Sequence, residues 1–156
     1  MASNGSSNDW SSLPKALSKA VGKLQKVLDS DRQWQAFVDT DAIIEPVTMG
    51  VQSVESKDAI LVRVEPKAKT IVSTGPADKA DFVLSAKGEQ WSKFFSADPK
   101  SPYTSFVGLQ GMNIKQEGVG LIGNQTKFAQ YGHLATRLLE LLREGKYMFV
   151  QATVEL

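Results

Sequence analysis

The chain has 156 residues, with 18 Lys and Arg against 17 Asp and Glu, and it contains no Cys. This length suits one domain with its own core, and the balanced charge provides no field that would draw the molecule to nucleic acid or to an anionic membrane. The lack of Cys excludes a disulfide framework, a thiol nucleophile and thiolate metal sites, and it favours a reducing compartment.

The first eleven residues are mostly small and polar and predict a disordered tail, so a single domain is expected over residues 12–156. They contain no apolar stretch after a basic start, and the chain does not end in a peroxisomal SKL signal. No apolar run reaches the roughly 20 residues that span a bilayer. We therefore expect an intracellular, cytoplasmic protein without a membrane-spanning segment.

Two helices are predicted at the beginning of the domain. Ser12 and Pro14 have the chemistry of a helix start, and an apolar stripe follows at helical spacing, with lysines largely on the other side. Ser30 and Gln33 have the spacing of a capping box and predict a second, short helix. That helix would carry three residues toward the core, namely Trp34, Phe37 and Val38.

The period of the apolar residues changes to two after the second helix. Alternation over Val47 to Val51, over Ile60 to Val64 and around Thr70 to Ser73 predicts three strands separated by short turns, hence an antiparallel meander. A short fourth strand is expected around Asp81 to Ser85.

An aromatic helix is predicted next, bearing Trp91, Phe94 and Phe95. The two prolines between Asp98 and Ser105 predict a loop that could act as a lid, and a Gly-rich strand region is expected from Phe106 to Ile122.

The remaining elements are a Leu-rich helix and a terminal strand. Gln125 to Glu144 has a continuous apolar face, and Gly145 lies just past its expected end. Alternation of apolar residues from Met148 to Leu156 predicts a final strand, which could extend the sheet or pair with a second subunit.

Two segments carry a family resemblance. DKADFVLSAKGEQWSKFFS, together with GNQTKFAQYGHLATRLLELL and the order of the elements, resembles the sterol carrier protein type 2 domain. The matching residues are Ala80, Asp81, Trp91, Phe94, Phe95, Gly123, Asn124, Leu134, Leu138 and Leu141. The long Gly- and Pro-rich stretch after the aromatic helix and the extra C-terminal strand depart from the family pattern.

The resemblance implies an α/β (α+β) fold, in which helices cover a twisted, mainly antiparallel sheet of about five strands and enclose an apolar cavity. Such a domain would act as a carrier for a fatty acyl chain, a sterol or a similar lipid-like molecule. Movement of the Asp98 to Ser105 loop would release this ligand. The alternative is that the same side chains fill a solid core. The predicted ligand-binding residues are Trp91, Phe94, Phe95, Tyr103, Phe106, Met112, Tyr131, Leu134 and Leu138.

Motifs for other chemistry are weak. Gly118, Gly120 and Gly123 spell G-x-G-x-x-G, but a dinucleotide fold needs this turn early in a series of parallel βαβ units, so we predict no nucleotide cofactor. His133 is the only histidine and lies opposite the leucine face, where it is expected to be solvated. One histidine and no Cys also predict the absence of a zinc site.

An enzyme remains the alternative function. Asp39, Asp41 and Glu45 lie close together in the sequence, and paired carboxylates can serve as an acid and a base, although such residues usually cap turns. If the protein is an enzyme, the acid/base candidates for hydrolysis, isomerisation or cyclisation of a hydrophobic metabolite are Asp39, Asp41, Tyr103 and His133. A third hypothesis is an interaction module, or a homo-oligomer, formed through the terminal strand.

Overall fold

The fold is described from a computed structural model for residues 10–39, 43–67, 69–95 and 120–155, with side chains to Glu144. The helices are α1 (Leu13–Ala16), α2 (Ser18–Ser30), α3 (Arg32–Val38), α4 (Gly88–Phe94) and α5 (Gln125–Glu155). The strands are β1 (Val47–Ser53), β2 (Asp58–Glu65), β3 (Lys69–Pro76), β4 (Phe82–Ala86) and β5 (Gly120–Gly123).

The described strands form one sheet in the order β3-β2-β1-β4-β5. β1 and β4 run parallel, and the other neighbouring pairs are antiparallel. The connection from β3 to β4, which includes a 3-10 turn at Ala77–Lys79, therefore returns the chain from one edge of the sheet to the far side of β1. This sheet and its helices confirm the predicted α+β class with a mainly antiparallel sheet.

Both faces of the central strands are buried, which explains their nearly continuous apolar sequences. On the opposite face from the helices, Leu61 and Val83 are almost inaccessible and flank Gly50. A Cβ placed on Gly50 would lie 3.3 Å from the Cβ of Ala80, so the β3–β4 connection packs closely there. The residues that face the core under the helices include Val47, Met49, Val51, Ile60, Val62, Val64, Phe82 and Leu84.

The first predicted helix is present, but it is divided at Leu17, where φ is −110° and ψ is 27°. Pro14 lies in the first turn of α1 as predicted, whereas the side chain of Ser12 makes no capping bond. The predicted apolar stripe is buried at Leu13, Leu17, Ala20, Leu24 and Leu28, and the lysines of α1 and α2 are exposed, namely Lys15, Lys19, Lys23 and Lys26.

The predicted capping box of Ser30 and Gln33 is wrong by one residue. Ser30 still belongs to the last turn of α2, where its hydroxyl donates a hydrogen bond to the carbonyl of Lys26 at 3.0 Å. Asp31 instead has extended backbone and accepts the backbone N–H of Trp34 at 2.8 Å. Both residue types are common helix caps, and the bend of the chain decides between them.

The predicted terminal strand over Met148 to Leu156 is also wrong, because α5 continues through Gly145 to Glu155. Its apolar residues four apart, such as Met148 and Ala152, suit a helix as well as a strand. Extension of an existing helix needs no new nucleus, and one interior Gly costs only about 1 kcal/mol. The predicted association of two subunits through a terminal strand therefore lacks its structural basis, because this segment is helical.

Three predicted segments lie wholly or partly outside the described residues. They are the first nine residues of the tail, the loop from Asp98 to Ser105, and the Gly-rich region as far as residue 119. Trp10 and Ser11 are described and are half-buried ahead of α1.

Candidate ligand-binding site

Three aromatic rings, two on α4 and one on the residue that follows it, form a compact cluster. Trp91, Phe94 and Phe95 are spaced so that they share one helix face, and their ring centroids lie 5.0 to 5.9 Å apart. Their exposures are 0%, 1% and 0%, so the cluster is shielded from water. The indole N–H of Trp91 donates to the carbonyl of Gln52 at 2.7 Å, which satisfies its buried polar group and ties α4 to β1.

Helix α5 places its apolar face against the same core. Tyr131, Leu134 and Leu138 are buried on it, and the backbone at Tyr131 is non-helical, with φ −116° and ψ 20°. Six of the predicted ligand-binding residues belong to the buried apolar core of the domain, which also includes residues of the sheet and of α1 to α3; the six are Trp91, Phe94, Phe95, Tyr131, Leu134 and Leu138. The other three, Tyr103, Phe106 and Met112, lie outside the described residues. A cavity among them stays a prediction.

Trp10 is a further member of the aromatic cluster, although its sequence position predicted that it belongs to the disordered tail. Its ring stacks on Phe95 with centroids 5.9 Å apart and an interplanar angle of 12°. Its carbonyl accepts the hydroxyl of Ser53 at 2.6 Å, and a Cβ on Gly88 would clash with that carbonyl oxygen. Glycine is therefore required where α4 begins. A tryptophan in an otherwise polar segment was the sequence signal that could have indicated the burial of Trp10.

Arg143 fixes the other end of α4, and sequence reasoning missed it. Its Nε donates to the carbonyl of Phe94 at 3.0 Å, and its guanidinium lies 3.9 Å from the centre of the Phe94 ring. A cation near the last carbonyls of a helix is favourable, and the stack on the ring adds to it. Arg143 therefore orients Phe94 within the cluster.

The residues of the two family-like segments meet at a structural junction. Asp81 accepts the backbone N–H of Thr48 at 2.7 Å and the ammonium of Lys127 at 3.3 Å. Its backbone carbonyl accepts the N–H of Asn124 at 2.8 Å, and the Asn124 side chain accepts the N–H of Lys127 at 3.0 Å where α5 begins. Gly123 has a φ of +104° at this crossing. Asp81 and Asn124 thus join β1, β4 and α5.

A second feature is an open groove of about 530 Å³ between α2, α3 and α5. Its lining includes apolar Val27 and Leu141 and charged Asp31, Arg137 and Glu144. Arg137 bonds to Asp31 at 2.6 Å and lies 3.5 Å from Glu144, so opposite charges in the lining neutralise one another. The hydrogen bond between the two side chains stabilises both charges. It lowers the pKa of Asp31 and raises the pKa of Arg137.

The acid/base candidates are not gathered in one described place. Asp39 is exposed at the end of α3, and His133 is exposed on α5, where it stacks on Phe37 at 5.7 Å. Glu45 is exposed and lies 3.5 Å from Lys127. Asp41 and Tyr103 lie outside the described residues. The described geometry gives the acid/base hypothesis no separate support.

The other predicted absences concern cofactors, metals and membranes. Gly120 and Gly123 lie in β5, which is antiparallel to β4, so the strand before α5 does not have the parallel partner of a dinucleotide fold. Among the described residues, no three acidic or His side chains come together as a metal site would require. Within the same residues, no helix is long and apolar enough to cross a bilayer.

These elements define an α+β domain with an apolar core between a five-stranded sheet and its helices. No protein-family profile and no curated protein matches the chain. Among solved structures it is similar to a protein described as UbiJ-SCP2 ubiquinone synthesis protein, with a TM-score of 0.47 and 11% identity over 86% of this chain and 93% of the other.

Two further solved structures have related descriptions. A conserved hypothetical protein of Thermus thermophilus, described as a candidate sterol carrier protein, has a TM-score of 0.46 and 19% identity over 83% of this chain and 86% of its own. Sterol carrier protein 2 like 2 of Aedes aegypti has a TM-score of 0.36 and 14% identity over 82% of this chain and 97% of its own. Likenesses of this size support no conclusion about ligand or activity.

Proposed function

We propose that the protein binds a hydrophobic, lipid-like molecule in the interior of this domain and acts as its carrier. One observation supports this proposal most directly: the six predicted ligand-binding residues that the structure describes, from two segments about 40 residues apart, are all buried in the apolar core of the domain. Buried aromatic and leucine side chains with few polar groups are typical of small-molecule sites.

The chemistry of the cluster favours selection by shape. The indole N–H of Trp91 is already bonded to the carbonyl of Gln52, so it is not available to a polar ligand. Burial of about ten methylenes at roughly 0.8 kcal/mol each gives a gross gain of about 8 kcal/mol, which corresponds to micromolar affinity before the costs of association are subtracted. A fatty acyl chain, a sterol or a molecule of similar size provides such a surface.

The finer parts of this function stay predictions. They are the cavity itself, the lid between Asp98 and Ser105, the cytoplasmic location and the transport role. The enzymatic alternative also stays a prediction, since Asp39 and His133 are exposed and no described contact brings them to the cluster.

Native mass spectrometry of the freshly purified protein, followed by denaturing extraction, tests the proposal. A stoichiometric lipid or sterol that leaves the protein only on denaturation is the expected result. Displacement of a fluorescent fatty acid then measures affinity. An empty protein that also fails to bind the fluorescent fatty acid would contradict the carrier function.

Matched variants connect binding to the cluster. Leu138→Trp adds volume among buried side chains and is expected to weaken binding of the fluorescent fatty acid at least tenfold, while circular dichroism checks that the domain remains folded. Ile122→Ala changes a side chain that is 55% exposed on β5 and should leave binding unchanged. Equal effects of the two variants would show that the cluster is not the site.

A further inference from the structure

The outer edge of β3 is covered in part by a side chain of α2. β3 lies at one end of the described sheet, and the amide of Gln25 bonds to it. The amide donates to the carbonyl of Thr70 and accepts the N–H of Val72, both at 2.8 Å. One residue of a neighbouring strand would make the same two bonds with its own N–H and C=O groups. Gln25 therefore fills one position of a strand that is missing beside β3.

The next position along this edge is open. Alternate residues of a strand direct their N–H and C=O groups to the same side, so the Val72 carbonyl and the Thr74 N–H point the same way as the pair that Gln25 fills. Among the residues that the structure describes, no backbone or side-chain group bonds to this second pair. Thr74 is exposed, and Pro76 ends the row because it has no N–H. The edge thus offers two positions to a strand, and one of them is free.

The side chains along the edge favour an apolar neighbour on both faces of the sheet. On the face under the helices, Val72 and Val21 of α2 are half-buried and pack against the core. On the opposite face, Ile71 is 37% exposed. A strand beside β3 would direct successive side chains to these two faces, where they would contact Val72 and Ile71. Two consecutive β-branched residues would cover both.

The charges near the edge are balanced. The Gln25 amide also donates to the carboxylate of Asp29 at 3.2 Å, and Lys69 is exposed where β3 begins. On β2, the guanidinium of Arg63 bonds to Glu65 at 2.8 Å. These two cations and two anions provide no net field that would attract a strongly charged segment. An uncharged segment therefore suits the edge best.

We propose that the β3 edge is a docking site for an extended, uncharged peptide segment of a partner protein. The segment adds a strand beside β3, bonds to Val72 and Thr74, and displaces the amide of Gln25. A second copy of this chain is less suited, because its own β3 would bring another Pro76 without an N–H and another Gln25 into the new pair of strands. The site lies at the edge of the sheet and does not depend on the proposed lipid-binding function.

A synthetic peptide tests the site. The probe is an acetylated and amidated hexapeptide with two central valines flanked by threonines, titrated into the full-length protein labelled with ¹⁵N. Shifts of the Val72 and Thr74 amide resonances and slower hydrogen exchange at Thr74 are the expected result. The matched control is the same peptide with methyl groups on both valine nitrogens, and it should bind at least tenfold more weakly. Equal binding of the two peptides would overturn strand addition, because they differ only in backbone N–H groups.

Variants of the edge test the two positions separately. Gln25→Ala removes the internal competitor and is expected to bind the hexapeptide at least threefold more tightly, under conditions where light scattering shows a monomer. Thr74→Pro removes the free N–H, which does not bond to β2, and should weaken binding at least tenfold. Thr74→Ala retains that N–H and should stay within about twofold of wild type. Circular dichroism checks that the variants are folded, and the N-methylated peptide tests the same bond without any change in the protein.

The remaining outcomes are distinct. If neither wild type nor Gln25→Ala binds the hexapeptide, Gln25 only closes the edge and the proposal is overturned. Dimerisation of the wild type that Thr74→Pro abolishes, without binding of the peptide, would assign the edge to a second copy and also overturn it. Displacement of the fluorescent fatty acid decides the carrier function separately, so the failure of one proposal leaves the other standing.

Discussion

Asp31 and Arg137 are 106 residues apart in the sequence and are joined by two hydrogen bonds, 2.6 Å from Nη2 to Oδ1 and 3.0 Å from Nε to Oδ2. The same carboxylate accepts the N–H of Trp34, so a single group both caps α3 and connects it to α5. The two side chains are 14% and 17% exposed, which limits screening by solvent.

Asp31→Ala is expected to lower the free energy of unfolding by about 2 kcal/mol at neutral pH, because a helix cap and charged hydrogen bonds are lost together. Urea unfolding followed by circular dichroism measures the change. Glu65→Ala is the control, since its pair with Arg63 on β2 is more exposed to solvent and should contribute much less. Similar losses in both variants would contradict the role given to Asp31.

The contribution of Asp31 should depend on pH in a defined direction. Its hydrogen bond from Arg137, helped by the N–H of Trp34 and opposed by burial, lowers the pKa of Asp31 from its ordinary value of 3.8. The unfolded chain therefore holds the proton more tightly, and the stabilisation is complete above the unfolded pKa and lost as pH falls through the folded pKa.

The difference in unfolding free energy between wild type and Asp31→Asn should accordingly be constant at neutral and mildly acidic pH and shrink below about pH 4. Urea titrations at a series of pH values measure it. Use of the difference cancels the shared contribution of Glu65, whose pKa is also lowered by Arg63. A difference that grows on acidification would contradict the assignment.

Gly123→Ala is expected to destabilise the protein by about 1–3 kcal/mol, because its φ of +104° is unfavourable for a residue with a side chain. The new Cβ would also lie 2.6 Å from the carbonyl oxygen of Asp81. Gly22→Ala is the control, since no atom lies within 4 Å of its added Cβ in α2. That variant should instead gain about 0.5–1 kcal/mol in thermal or urea unfolding.

Gln25→Ala should expose part of a sheet edge. The Gln25 amide donates to the carbonyl of Thr70 and accepts the N–H of Val72, both at 2.8 Å, so it takes the place of a neighbouring strand beside β3. Its loss is expected to cost about 1–2 kcal/mol and to promote association through the edge. Urea unfolding and light scattering after size exclusion measure the two effects, and Gln33→Ala, which is exposed, should leave both near wild type.

The elements were largely predictable because their information is local. The periods of apolar residues predicted α2, the strands of the meander and the Leu-rich helix, and a buried face requires such a period in any fold. The prediction of a terminal strand was wrong because apolar residues two and four positions apart fit the period of a helix as well as that of a strand. The helix cap was displaced because Ser30 and Asp31 are chemically equivalent candidates.

The sequence by itself determined which side chains must leave water, and it predicted Trp91, Leu134 and Leu138 as members of one apolar set. Only the tertiary structure decided that Trp10 joins them and that Arg137 meets Asp31. These contacts connect segments far apart in the chain, and each depends on distances set by the packing of the whole domain. Local periodicity records burial, but it contains no information about which distant group a buried side chain will meet.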